Sequence, residues 1–149
     1  MIETFTREGR ILALVVRAGY RGDGLQFFTP DDLCQQRGYM RRPAGHRVEP
    51  HVHRPLRREI VGTSEVLFIR SGRARIDLYD EQESFLESVI VGPGDVVLLS
   101  AGGHGLEMLE ECEIIEVKQG PYHHDLEKSR FRKASIPSPP PEVIGRPAE

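Results

Sequence analysis

Two histidines two residues apart, His51 and His53, stand in the stretch GHRVEPHVHR, with Gly45 six positions before the first. In a strand, residues i and i+2 project to one side, roughly 6.5–7 Å apart at the backbone, so two imidazoles placed in this way could converge on one ion. Two further residues extend the set. Glu65 opens the apolar run EVLFIRSG with six residues between it and Gly72, and His104 sits in SAGGHG, a glycine loop directly after DVVLLS. Three neutral imidazoles and one carboxylate form a common shell for Fe, Mn, Ni, Co or Zn, and such an ion can act as Lewis acid, activate water or hold substrate oxygens. Each residue also has a plainer reading: solvated strand histidines, a strand-end charge, a loop hydrogen bond. Glu59, nearer to His53 in the chain, is the rival carboxylate.

Arg57, Arg58 and Glu59 follow the His pair on the segment leading to Glu65. Adjacent guanidinium groups suit a carboxylate or phosphate because they bind it bidentately, so these three are the candidate substrate-binding residues. The plain alternative is a solvated loop. His123 and His124, in PYHHDLEKSRF, read as surface residues.

Elements that could position such a site are mostly strands. Residues 11–17 (ILALVVR) are apolar and β-branched, and RARIDLYD alternates Ala74, Ile76 and Leu78 against Arg73, Arg75 and Asp77, as a half-buried strand does. ESFLESVIVGPGDVVLLSAGG supplies two strands split at Gly92-Pro93-Gly94, and LEMLEECEIIEVKQG two more around an acidic turn at Glu110-Glu111. One short helix is expected near the N-terminus in FFTPDDLCQQRG, capped by Thr29, opened by Pro30, favoured by Asp31 and Asp32, and closed at Gly38. The expectation is an all-β domain over 1–132 and a proline-rich tail over 133–149, which holds five of the eleven prolines.

Composition narrows the function classes. The chain has 149 residues, 29% of them charged, with a net charge of -3 and no clustered basic excess, so nucleic acid is not an expected partner. There is no apolar run of membrane-spanning length and no apolar leader after Met1, so a cytoplasmic protein without a membrane contact is expected. Cys34 and Cys112 are far apart and read as reduced thiols. Rossmann and Walker glycine motifs and the GxSxG nucleophile motif are lacking, which argues against the corresponding nucleotide and triad chemistries.

Taken together, these residues resemble the cupin superfamily. Gly45, five residues, then His51-Val52-His53 matches the start of its first motif, G(X)5HXH(X)3-4E(X)6G, and Glu65 to Gly72 matches the end. The departure is between them, where eleven residues separate His53 from Glu65. In the second motif, G(X)5PXG(X)2H(X)3N, Gly94 and Gly102 fit, Ser100 replaces proline, His104 arrives one residue early and Met108 replaces asparagine. The resemblance covers roughly residues 10–132. It implies a cupin-type double-stranded β-helix, or jelly-roll barrel, with a divalent transition metal on His51, His53, Glu65 and His104. It further implies a homodimer and a metal-dependent enzyme acting on a small oxygenated molecule, a sugar derivative or a carboxylate. The alternative it leaves open is a non-catalytic module that binds a small ligand or a metal.

Overall fold

In a computed structural model, residues 1–123 and 126–132 are described. Among them are ten strands: β1 (Ile2–Arg7), β2 (Arg10–Val16), β3 (Gly24–Phe27), β4 (Gly38–Arg41), β5 (Glu65–Ser71), β6 (Ala74–Tyr79), β7 (Phe85–Val91), β8 (Val96–Leu99), β9 (Gly103–Met108) and β10 (Glu113–Lys118). All pairings are antiparallel. The strands make a five-stranded sheet in the order β1-β2-β8-β5-β10, a three-stranded sheet β7-β6-β9, and the separate hairpin β3-β4. The sheets stay open at their edges, an all-β arrangement compatible with a β-sandwich. The tail expected over 133–149 and His124 lie outside the described residues.

The alternation visible in the sequence explains the core. Ala13, Val15, Leu67, Ile69, Val97 and Leu99, two apart on β2, β5 and β8, meet Ile76, Leu78, Val89 and Val91 from β6 and β7 in one buried cluster. Two sheets thus face one another across a single core. Each fully buried aliphatic side chain contributes about 1.5–3 kcal/mol relative to exposure.

Strand β6 departs from its half-buried expectation, since all six of its residues are buried. Its second face carries Arg75 and Asp77, which satisfy each other: Arg75 donates from Nε to Asp77 Oδ1 at 2.8 Å and from NH2 to Glu107 Oε2 at 2.6 Å, and Ser88 Oγ donates to Asp77 Oδ1 at 2.6 Å. Charges so paired can be covered without leaving an orphaned ion. Tyr79, the next residue on that face, is enclosed by the rings of Phe85 and Phe131.

The expected helix in residues 27–38 is not formed; no helix occurs among the described residues. Phe27 pairs directly with Gly38, so the ten residues between them must fold back as a hairpin connection. Thr29 does not cap a helix. Its Oγ1 accepts from the Arg37 amide at 3.0 Å and donates to Gln36 Oε1. Gln36 Nε2 in turn donates to the carbonyls of Pro30 and Leu33. Side chains thus serve the backbone groups that helical bonds would have served.

The stretch 42–64 is the second correction. It holds no strand, so the expected strand placement of His51 and His53 is not observed. Pro43, Pro50 and Pro55 lack the amide a ladder needs, and the apolar residues between them stay exposed, Val52 at 89%. Both cysteines are free, and no helix among the described residues is long and apolar enough to cross a membrane.

Candidate functional site

Glu65 is the first residue of β5 and points inward in step with Leu67 and Ile69. The residue before it is pinned, because the Ser64 amide donates to Gln119 Oε1 at 2.5 Å. His104 comes from the opposite sheet. It lies in strand β9, not on the glycine loop expected for it, and pairs with Leu78, which places it on the core side of β9. The two side chains meet across the gap between the sheets, with His104 Nε2 3.1 Å from Glu65 Oε2. Glu65 is buried, at 6% exposure, and His104 is partly open to solvent.

This pair sits in the wall of a cavity of about 1050 Å³. Both faces of β9 contribute, Leu106 and His104 on one side and Gly103 and Gly105 on the other, because β9 is an edge strand. Residues 126–131 line the cavity's outer side. Phe131 packs on Tyr79 with ring centroids 5.1 Å apart and lies over Gly103, where a β-carbon would come within 3.1 Å of it. That anchor carries Lys128 and Arg130 to the cavity. Lys128 Nζ stands 3.8 Å from Glu65 Oε1, so both carboxylate oxygens have a cationic or hydrogen-bonding neighbour.

The hydrogen bond from His104 holds the Glu65 carboxyl below its ordinary value, outweighing burial, which works the other way. The charges of Lys128 and Lys118 add to the lowering, as does that of His104 when its ring is protonated. An ionised carboxylate only accepts hydrogen bonds, so Nε2 of His104 must donate and Nδ1 is left as the basic nitrogen of the neutral ring. A carboxylate-oriented imidazole beside a solvent-reachable cavity is a general acid–base arrangement.

The lowered value also predicts a pH dependence. A carboxyl whose folded value lies below its unfolded value contributes stability that is complete above about 4.5 and is lost as pH falls through the folded value. Thermal unfolding of the wild type and Glu65→Gln from neutral pH down to about pH 3 should therefore show the wild-type advantage shrinking with acid. An advantage that stays constant over that range contradicts the pairing.

The other residues singled out in the sequence are elsewhere. His51 and His53 are exposed, their rings 5.2 Å apart at an edge, and His51 Nδ1 lies 3.0 Å from the Glu49 carbonyl oxygen. Arg57, Arg58 and Glu59 are exposed and do not line the cavity, although Ile60, Gly62 and Thr63 of the same loop do. Among the described residues, no group of three or more His, Cys, Asp or Glu is placed to hold a metal ion. The four residues of the motif, as arranged, do not fit a metal shell. Two of them form a hydrogen-bonded pair instead.

Lys128, Arg130 and His123 line the cavity without having been singled out as site residues. The only signal available for Lys128 and Arg130 was Phe131, an aromatic closing the polar run LEKSRF, while His123, read as a surface residue, is exposed where it lines the cavity. No family model, curated protein or solved structure matches this chain.

Proposed function

We propose that the chain is a small cupin-type double-stranded β-helix that performs proton transfer on a small oxygenated molecule carrying a carbonyl group. The observation that carries this reading is the Glu65–His104 pair in the wall of a large cavity. In it, Nδ1 of His104 takes a proton from carbon next to the carbonyl, and Glu65 holds the ring in the required tautomer and stabilises the imidazolium that forms. Lys128, which stands beside Glu65, offsets the negative charge that develops on the substrate oxygen.

A metal-dependent form of the same chemistry, with a divalent Fe, Mn, Ni, Co or Zn ion, is the second reading, and one feature bears on it. The loop bearing His51 and His53 ends in Ile60, Gly62 and Thr63, which line the cavity. That reading needs the loop to bring both imidazoles to Glu65 and His104. The test that separates the two is deuterium incorporation from D2O into a panel of small keto and hydroxy-keto compounds, followed by proton NMR. Acid–base chemistry by the pair expects exchange that survives chelation and His51→Ala but not His104→Ala. The metal form expects loss with all three treatments. Exchange that persists in His104→Ala, or no exchange with any compound, contradicts the proposal and favours a non-catalytic binding module.

A further inference from the structure

We infer that the cavity's ligand carries a carboxylate, and that Arg130, not Arg57 or Arg58, is the residue that reads it. This inference rests on the reading of the cavity as a small-molecule site and names the class of molecule it takes. The charges lining the cavity sort into satisfied and unsatisfied groups. Asp77 is held by Arg75 and Ser88, Glu127 accepts from Lys118 Nζ at 3.2 Å, and Glu65 is held by His104 and Lys128. Each carboxylate of the wall is thus already matched by protein groups. Among the lysines and arginines of the wall Arg130 is the exception: it lines the cavity, and among the described residues no hydrogen bond or ion pair engages it.

Arg130 is exposed, and its place at the cavity is set by the residue beside it. Its neighbour Phe131 is locked between Tyr79 and Gly103, which fixes the backbone beside the cavity. Lys128, two residues earlier, lines the same cavity while engaging Glu65. An unengaged guanidinium presents a planar fork that matches the two oxygens of a carboxylate. The remaining wall includes Leu99, Leu106, Tyr79 and Phe131, which suits a carbon skeleton, with Thr63 and Ser129 available to hydroxyl groups. The complementary ligand is therefore a hydroxylated or keto carboxylic acid, with its carboxylate on Arg130 and its reacting carbon toward His104.

Calorimetric titration of the full chain with lactate and gluconate, each against its primary amide, tests this. The acid and amide share shape and hydroxyl groups and differ in the charge that Arg130 would read. Each acid is expected to bind about tenfold or more tightly than its amide. Arg130→Gln should erase that preference and Arg130→Lys restore part of it, while the exposed Arg57→Gln leaves it unchanged. Equal binding of acid and amide, no binding of either acid, or a preference that survives Arg130→Gln overturns the inference. The same titrations on His104→Ala separate it from the proton-transfer reading: an acid preference retained there while deuterium exchange is lost supports both. Exchange that survives in that variant removes the proton-transfer reading and leaves the carboxylate site standing.

Discussion

Gly72→Ala should be among the most destabilising single substitutions in the chain, with Gly102→Ala close behind. Both glycines adopt positive φ, 75° and 66°, where an L side chain is strained. Space is also lacking. A β-carbon at Gly72 would overlap the Glu111 carbonyl oxygen and lie 2.8 Å from Cys112 Sγ, and one at Gly102 would overlap the Tyr79 carbonyl oxygen. The offending atoms at both sites include backbone, so a rotamer change cannot relieve the contact. Backbone strain plus the forced shift of a neighbouring strand end costs about 3–5 kcal/mol, a large part of a small domain's stability. Gly92 is the control, because it has ordinary φ and nothing within 4 Å of a built β-carbon. Denaturant unfolding of Gly72→Ala and Gly102→Ala should show the full loss, and Gly92→Ala a change within about 1 kcal/mol. A change that small at Gly72 contradicts the packing of the β5–β6 turn against the β9–β10 connection.

His104→Ala should lower deuterium exchange by about 10²–10⁴-fold, the range over which a positioned general base acts. The reason lies in the division of labour within the pair. Truncating His104 removes the proton acceptor itself, whereas Glu65→Gln keeps the ring but can present an amide donor to Nε2, which favours the wrong tautomer. Both variants should therefore lose rate, and the double variant should lose little more than His104→Ala alone, because the two groups act as one unit. Additive losses measured from initial exchange rates contradict that coupling. Stability need not follow the same order, since His104 is partly exposed and Glu65 is buried against Lys128 as well.

Legibility in the sequence tracked how locally each feature is specified. Strands β5 to β8 were readable because apolar residues alternate or run together there, and their inward faces are the core. Strands β1, β3 and β4 were hidden by polar residues in IETFTR and by brevity in GLQF and GYMR. The helix expectation failed at Thr29: a residue type that caps helices served a hairpin loop once Gln36 supplied competing hydrogen bonds. His51 and His53 have metal-ligand spacing, but that spacing matters only in a strand, and Pro50 and Pro55 withhold the amides a strand requires. Glu65 and His104 could be singled out by type and neighbouring glycines, while their contact depends on two sheets facing each other. Lys128 and Arg130 were out of reach for a similar reason, as a ring contact from Phe131 to Tyr79, distant in the chain, sets them in place.

The most direct test of the account is the tautomer of His104, read from the ring nitrogens in a two-dimensional ¹⁵N–¹H NMR spectrum of the neutral imidazole. The predicted result is a proton fixed on Nε2 and a bare Nδ1, with the preference weakened in Glu65→Gln. A proton on Nδ1, or a freely averaging ring, would contradict the account, because Glu65 would then not be holding the base that the cavity is proposed to use.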